Sequence, residues 1–455
     1  MSESLHKFDV TADTAAVEAA ESFNKSWWRS LGLPDLDELL DDATQNNFTV
    51  QAAELRLNEA QGLDASSFWS LLPKSSLQFS ESGGVVPQYR VDGFKSQAQK
   101  GVSATSRAGL SMSWALPLFG KASSTTALSK AQVEYARWTL EAARDTVATE
   151  VVLAYVEALG IRSMSAALVQ IRDAERQQVE DTTLLLQKGL VAQKAVDDHE
   201  NQVLQAESAL LDAEGRLATL QAKVGTLLGN PDSKLMSRLI PWTAVPEVAT
   251  TQFQEAITRL ENRTRVDAAG IRQRIDVKLA ESKVAEATAQ AGIATANLFP
   301  QFSLDGALNF AKGSLDSTGV TKGISSLGSL DFGLRIPILE WPALKADANA
   351  KKVELQAAVM DYRAAVLAAW EDATSSAAEA ATALRKAQLA DRQEQLARMD
   401  AARQSKAAAK SYVSRPDARQ AQEAHSSALK AKYQADTAYL LAWTKLRKAS
   451  GGWVR

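Results

Sequence analysis

The sequence predicts a mainly α-helical protein with four β-strands, built from two copies of one unit. Three features predict it: residues that recur at a fixed offset, four stretches of alternating polar and apolar residues, and only 11 prolines in 455 residues. Apolar residues at 45% and charged residues at 23% exclude a disordered chain and a bundle of apolar membrane helices. The net charge of −3 shows no basic excess that would indicate nucleic-acid binding.

The duplication is visible around Pro73 and Pro300, each of which begins a Pro-x-x-Ser-Leu segment. Upstream residues match at the same offset, as in the pairs Val50 and Val277, Ala53 and Ala280, Glu54 and Glu281, Glu59 and Glu286, and Ala60 and Ala287. Leu116-Pro117-Leu118 and Ile336-Pro337-Ile338 correspond further along, at a slightly smaller offset. We therefore expect a longer loop between the prolines of the first copy.

Each copy is predicted as a helix, a strand, a loop, a second strand, a very long helix, a turn and a return helix. Proline-free or periodic segments place helices at about 46–70, 121–188, 193–229 and 343–412. At 1.5 Å per residue, each long helix would span about 100 Å. The strands alternate apolar and polar residues, which predicts one apolar and one polar face for each.

The helices carry coiled-coil patterns. Apolar residues of the first return helix recur every seven positions, at Val196, Val203, Leu210, Leu217 and Val224. The second return helix has an alanine stripe at Ala424, Ala428, Ala431, Ala435, Ala438 and Ala442. We expect this stripe to be the seam along which two helix axes approach closely.

These elements predict a division along the chain. Residues 1–45 form an N-terminal extension on the helical body, 46–230 the first repeat with a hairpin at about 74–117, and 231–265 a connector. Residues 266–450 form the second repeat with a hairpin at about 301–337, and 451–455 a tail.

Four strands are too few to close a membrane barrel, which needs roughly eight. An open sheet cannot lie in lipid because its edge amides would be unsatisfied. If the sheet is a membrane element, several protomers must each contribute two hairpins. The apolar faces, including Trp114, Leu304 and Leu334, would then face lipid, and Asp305, Asp331 and Arg335 would line a lumen. The alternative is a soluble α+β protein with the same alternation.

No catalytic or metal-binding constellation is present. The chain has no cysteine, and its three histidines, His6, His199 and His425, are far apart in sequence and are predicted to be ordinary polar residues. Glu54 and Glu281 correspond across the repeat but are expected to be exposed or inter-helix polar residues. We therefore predict a protein that is not an enzyme and has no cofactor. The first residues predict neither a signal peptide nor a cysteine-linked lipid anchor.

Several segments, in this order and spacing, resemble the outer membrane factor family, the TolC-like exit ducts. They are Trp27-Trp28, Leu36–Leu40, Asn46–Val50, Arg274-Ile275-Asp276-Val277, Leu298–Leu304 and Ser450-Gly451-Gly452-Trp453. Ile275 replaces the proline of the family's Arg-Pro-Asp-Val motif, and Ser450 replaces the first glycine of its Gly-Gly-Gly-Trp.

The resemblance implies a homotrimer in the outer membrane with a shared 12-stranded β-barrel above a periplasmic helical tunnel. It also implies two partners, a periplasmic adaptor and an inner-membrane transporter, which supplies the energy for passive efflux of drugs or other small molecules. Type I protein secretion and a soluble elongated coiled-coil scaffold remain as alternatives.

The resemblance places the gate and the adaptor contact at the free tip of the helices. Two turns lie there, and Gly189 and Val191 of the first correspond to Ser411 and Val413 of the second. These four residues are the candidate docking turns. The candidate gate consists of the adjacent charges Asp197, Asp198, Arg415 and Asp417, which could bind cations or bridge protomers. Alternatively, the acidic residues only stabilise the starts of their helices, where negative charge is favourable.

Overall fold

The computed structural model describes residues 27–31, 33, 35–92, 95–230, 268–316 and 323–451. The predicted connector, Gly452-Trp453 and His6 lie outside these residues. The elements are a 3-10 helix (Trp27–Leu31), α1 (Asp35–Asn46), α2 (Phe48–Ser70), β1 (Lys74–Asp92), β2 (Lys95–Leu116), α3 (Lys121–Gln187), α4 (Gln193–Leu227), α5 (Ala268–Arg272), α6 (Ile275–Ala296), β3 (Gln301–Asp316), β4 (Gly323–Arg335), α7 (Trp341–Ala409) and α8 (Arg415–Ala449).

The order of elements confirms the predicted mainly α fold with four strands. The first predicted helix is preceded by a separate helix, α1, and Asn47 marks the break. The Asn47 side-chain oxygen accepts hydrogen bonds from the backbone N–H groups of Thr49 and Val50, at 2.9 and 3.2 Å. Asn47 therefore caps α2, because its side chain satisfies donors that have no partner in the first helical turn.

The chain divides into two compact units. The helical unit takes the described residues of Met1–Leu55, Trp138–Leu279 and Arg363–Arg455, and the strand unit takes those of Arg56–Arg137 and Ala280–Tyr362. Both long helices, α3 and α7, contribute to both units. The division by repeats remains a prediction.

The helical unit has an apolar core of its own. Trp443, Tyr155 and Tyr439 are among the largest fully buried side chains. On α3, Val147, Val151, Ala154 and Ala158 are buried along one stripe and Val152, Tyr155 and Leu159 along a second, so this helix has neighbours on two sides. One window of α3 is apolar enough to cross a membrane, but 72% of it is buried within the fold. The window therefore fits a core helix.

The predicted alanine seam of α8 is only partly buried within one chain. Ala428, Ala435 and Ala442 are half-buried, whereas Ala424, Ala431 and Ala438 are exposed, so the close approach along this stripe stays a prediction. A fully buried alanine stripe lies on α7 and follows the heptad repeat, at Ala373, Ala380, Ala387 and Ala401. The buried face of α8 carries large side chains such as Tyr439 and Trp443, and the Trp443 ring packs against Trp27 with 6.1 Å between the ring centroids.

A tight contact joins α3 and α8. A Cβ atom placed on Gly160 would overlap the side chain of Thr437. Gly160 is therefore required by packing, and the approach of these two helices depends on its missing side chain.

The strand unit contains one antiparallel sheet with the order β1-β2-β3-β4. The hairpin strands of the first copy have 19 and 22 residues and those of the second 16 and 13. The first hairpin is longer, in agreement with the offset change, but the additional residues lie in β1 and β2 themselves, so the expectation of a longer loop was wrong. The two hairpins join through β2 and β3, where Trp114 is paired with Leu304.

Candidate functional site

The register of the sheet places the three predicted lumen residues on one face. Asp305 of β3 is directly opposite Asp331 of β4, and Arg335 is two pairs further along the same face. Ser113 of β2 lies on the other side of Asp305, and Lys74 of β1 is opposite Ser113. A polar row therefore crosses all four strands.

Asp305 is held in place by two hydroxyl groups. Ser113 donates a hydrogen bond to its Oδ1 atom at 2.6 Å, and Ser303 donates one to its Oδ2 atom at 2.9 Å. Gly333, opposite Ser303, leaves room for that serine, because a Cβ atom there would overlap the Ser303 hydroxyl. The row is thus an ordered polar surface.

The opposite face is apolar and contains the three predicted lipid-facing residues. Trp114 and Leu304 are paired, and Leu334 lies on the same face. The Trp114 indole N–H donates to the backbone oxygen of Leu71 at 2.9 Å. This hydrogen bond satisfies the polar edge of the ring, so its apolar part can face an apolar phase. Many other side chains of this face are exposed, among them Leu77, Phe79, Leu308, Phe310, Leu330 and Phe332.

The two predicted docking turns have the same backbone geometry. Gly189 and Ser411 both have positive φ angles, 70° and 61°. In each turn the next residue, Leu190 or Tyr412, bonds back to a carbonyl five residues earlier. This is a Schellman helix end, and it satisfies the last carbonyls of α3 and α7. Leu190 and Tyr412 are exposed at the two turns.

The four predicted gate residues are exposed, and the structure gives three of them partners on their own helix. Lys194 contacts Asp198 at 2.8 Å, and Gln193 donates to Asp197 at 2.7 Å. Ser414 caps α8: its hydroxyl donates to the Asp417 carboxylate at 2.5 Å and accepts from the Asp417 N–H at 3.3 Å. Among the hydrogen bonds and ion pairs of the described residues, none joins the α4 pair to Arg415 or Asp417.

Sequence reasoning missed a charged contact close to this tip. Arg419 of α8 pairs with Asp181 of α3 and donates to the Gln177 backbone oxygen at 3.1 Å. In the sequence, Arg419 is marked only by its position about one turn after the residue that caps α8. The contact joins the second copy to the first.

The histidines also have specific partners. His199 Nδ1 lies 2.8 Å from the buried Glu175 carboxylate, and His425 Nε2 lies 3.0 Å from the buried Glu394 carboxylate. Glu394 occupies the heptad position between Ala387 and Ala401 of α7. Within the described part of the chain, no cluster of three or more acidic, histidine or cysteine residues is arranged to hold a metal ion.

The Arg274-Ile275-Asp276-Val277 segment forms a charged network at the start of α6. Arg274 contacts Asp276 at 2.8 Å and Asp372 of α7 at 2.9 Å, and it donates to the Ala449 backbone oxygen of α8. The hydrogen bonds from Arg274 keep the pKa of Asp276 below its usual value despite burial. The arginine thus ties the beginning of α6 to two other helices.

Comparison with known proteins gives the family. The family described as outer membrane efflux protein matches residues 39–230 and 271–452. These two segments cover most of the chain and reproduce its duplication. The chain belongs to the outer membrane efflux protein family. It is an outer membrane channel protein that acts as an exit duct in tripartite efflux, with its helical body in the periplasm.

Individual relatives are distant but cover most of the chain. Nodulation protein T of Rhizobium leguminosarum bv. trifolii is 28% identical over 352 residues, which are 76% of this chain and 70% of that protein. The pyoverdine export outer membrane protein OpmQ of Pseudomonas putida is 24% identical over 366 residues, 77% of this chain and 71% of that protein.

The fold matches solved channels of the outer membrane. The CmeC outer membrane channel of Campylobacter jejuni superposes with a TM-score of 0.74 at 19% identity, covering 94% of this chain and 88% of that one. The fold class predicted from the sequence is therefore confirmed.

Proposed function

We propose that three copies of this chain close their four-stranded sheets into one 12-stranded barrel in the outer membrane. The observation that carries the proposal is the sheet itself, which is open at β1 and β4 and exposes an apolar face. An open edge has no partners in lipid, so the sheet needs neighbouring copies to satisfy it. Twelve strands lie within the range of single membrane barrels.

The helical unit offers a second surface for assembly. Leu204 and Leu211 of α4 are exposed and seven residues apart, and so are Leu389 and Leu396 of α7. Exposed apolar residues at heptad spacing are typical of a coiled-coil seam whose partner is another chain. We assign this partner to the neighbouring copy.

In the assembled barrel, Trp114, Leu304 and Leu334 would face lipid, and Asp305, Asp331 and Arg335 would face the conduction path. The apolar face would bury its exposed side chains in hydrocarbon, while the hydroxyl-supported row of Asp305 would stay hydrated. The chain would conduct passively, without an enzymatic step or a cofactor.

We further propose a periplasmic adaptor and an inner-membrane transporter as partners, and small molecules as cargo. The turns at Gly189–Val191 and Ser411–Val413 would contact the adaptor, since they expose Leu190 and Tyr412 at matching positions. Export of pyoverdine by the relative OpmQ supports a small-molecule cargo. Asp197, Asp198, Arg415 and Asp417 remain the candidate gate.

Reconstitution into planar bilayers tests the proposal. The purified chain in detergent should insert as a trimer and give discrete conductance steps, and Asp305→Asn with Asp331→Asn should change the ion selectivity of those steps. A chain that stays monomeric and gives no steps would reject the proposed assembly.

A further inference from the structure

All four strands join helices at the same end of the sheet. β1 and β3 follow α2 and α6, and β2 and β4 lead into α3 and α7. The opposite end contains the hairpin ends, where Asp92 is paired with Lys95 and Gly313 with Gly323. Because the helical body lies in the periplasm, the hairpin ends mark the outer end of the sheet.

The apolar face of the sheet is built from rows, since paired residues of neighbouring strands lie side by side at one height. Two aromatic rows enclose rows of mainly aliphatic residues. The aromatic row near the helices contains Trp114 and Phe332, and the one towards the hairpin ends contains Phe79 and Phe310. The large residues of the rows between them are Leu77, Leu110, Met112, Leu308 and Leu330. This order is typical of the lipid-facing surface of a membrane barrel, which has an aromatic girdle at each interface.

The first charged row of the apolar face lies directly beyond the outer aromatic row. Glu81 of β1 is paired with Ser106 of β2, and Ser106 is paired with Lys312 of β3. These three exposed residues are named the border row. Between it and the helix ends, the described strands carry no charged residue on the apolar face. Over the same height, the polar face contains several charged residues, namely Lys74, Arg107, Asp305, Asp331 and Arg335.

The distance to the border row fits the thickness of a bilayer. From Phe302 to Lys312, β3 advances ten residues, which is about 34 Å at about 3.4 Å per residue. The strands of membrane barrels are tilted by about 40°, so this length corresponds to about 26 Å along the membrane normal. The apolar band of such barrels is about 25 Å tall. The border row therefore lies where the band should end.

The two hairpins differ beyond the border row. β3 ends at Asp316, only four residues beyond it. β1 and β2 remain paired up to Asp92 and Lys95, eleven residues beyond it. Eleven residues extend about 37 Å along a strand. The apolar band is already complete below this part of the first hairpin, so lipid is not needed to cover it.

We propose that the border row lies among the lipid headgroups of the outer leaflet, and that the first hairpin continues beyond it as an extracellular projection. The headgroup layer suits this row, because Glu81 and Lys312 stay hydrated there, whereas a charge in the hydrocarbon region is costly. The second hairpin ends close to the membrane surface. The inference rests on the proposed barrel, in which three copies give three projections.

Spin labels on the cysteine-free chain test the position of the border row. Leu77→Cys, Phe79→Cys and Gly83→Cys place single labels at increasing heights on the apolar face of β1. Electron paramagnetic resonance of the assembled protein in lipid vesicles measures collisions with oxygen, which concentrates in lipid, and with a water-soluble nickel chelate. Labels at 77 and 79 should meet oxygen, and the label at 83 should meet the chelate. A label at 83 that meets only oxygen would overturn the proposal.

Removal of the two charges tests the role of the border row itself. Glu81→Leu combined with Lys312→Leu adds one row to the apolar band, so the label at position 83 should lose collisions with the chelate. Arg107→Leu is the matched control, because it removes a charge at nearly the same height on the polar face. The label should then stay in water. No change in the double variant, or an equal change in the control, would contradict the assignment.

Labelling of intact cells that carry the protein in their outer membrane tests the projection. Tyr89→Cys on β1, at the position paired with Ala98, should react with a bulky maleimide that cannot cross this membrane. Gln202→Cys on the exposed side of α4 should react only after the membrane is permeabilised. A cysteine at position 89 that stays unlabelled in intact cells would overturn the projection.

Channel recordings of the same two variants separate this inference from the proposed function. Conductance steps without labelling at position 89 would refute the projection and leave the proposed barrel standing. If neither variant gives conductance steps, the proposed function fails, and the labelling still decides on which side of the membrane the hairpin lies.

Discussion

The two units of this protein use their large apolar side chains in opposite ways. In the helical unit, Trp443 and Tyr155 are fully buried among neighbouring helices. In the strand unit, Phe79 and Leu330 of the sheet are 75% and 73% exposed. The helical unit supplies its own core, whereas the sheet presents a surface that needs an apolar surrounding. Substitutions in the buried core of the helical unit should therefore act within one chain, and those on the apolar face of the sheet should act through lipid and assembly.

The largest expected effect distinguishes the two faces of the sheet. Leu304→Arg would place a charge on the lipid side, which costs about 2–4 kcal/mol near the bilayer midplane. The neighbouring Asp305→Arg places the same side chain on the polar face and should leave assembly intact while altering conductance. The amount of assembled oligomer in the membrane measures the difference. Equal tolerance of both changes would show that the sheet does not have one lipid-facing side.

The next effect concerns the charged network of the helical unit. Arg274→Ala removes hydrogen bonds to Asp276, Asp372 and the Ala449 backbone. A hydrogen bond to a charged group contributes about 1.5–3 kcal/mol to stability. Thermal unfolding in detergent should show a lower melting temperature. Arg274→Lys keeps the positive charge but loses the forked geometry of the guanidinium group. Its melting temperature should therefore lie between those of the parent and the alanine variant. An unchanged melting temperature for the alanine variant would contradict the role of this network.

A smaller effect is expected where Gly160 of α3 packs against Thr437 of α8. Gly160→Ala adds a Cβ atom that overlaps Thr437, and such overpacking typically costs about 1–3 kcal/mol. Gly215→Ala in α4 is the matched control, because a Cβ atom there meets nothing within 4 Å. It should stabilise the helix by about 0.5–1 kcal/mol. In denaturant unfolding, the free energy of unfolding should fall for Gly160→Ala and rise for Gly215→Ala. A change of the same sign in both variants would refute the packing argument.

The smallest effect belongs to the tip. Arg415→Ala combined with Asp417→Asn removes two exposed charges, and the asparagine retains an acceptor for the Ser414 hydroxyl. An exposed ion pair contributes only about 0–1 kcal/mol, so any gate built from these charges is weak in each chain. We expect a higher single-channel conductance with normal assembly. Parental conductance in this variant, and in a variant lacking Asp197 and Asp198, would place the gate elsewhere.

The sequence predicted those parts of the fold that depend on local periodicity. The alternation of Leu304 and Asp305 is sufficient to assign strand faces, since successive side chains of a strand point to opposite sides. The long helices follow from the absence of proline over 121–188. Gly189 and Ser411 correspond in the sequence repeat, and in the structure both have a positive φ angle in the turn that ends their helix.

Contacts between distant segments could not be predicted in this way. Alanines at heptad-related spacing occur on both α7 and α8, and their spacing alone does not show which of them are buried in the protomer. Likewise, nothing local to Arg419 indicates that it pairs with Asp181, which lies 238 residues earlier, on the other copy of the repeat.

The mass of the detergent-solubilised assembly tests the central claim most directly. If the open sheet is one third of a shared barrel, native mass spectrometry should give a single species of three times the 49.0 kDa chain, which is lost when the detergent is removed. A folded monomer of 49.0 kDa that stays in solution without detergent would contradict the account, because its exposed sheet face would then need neither lipid nor a second copy.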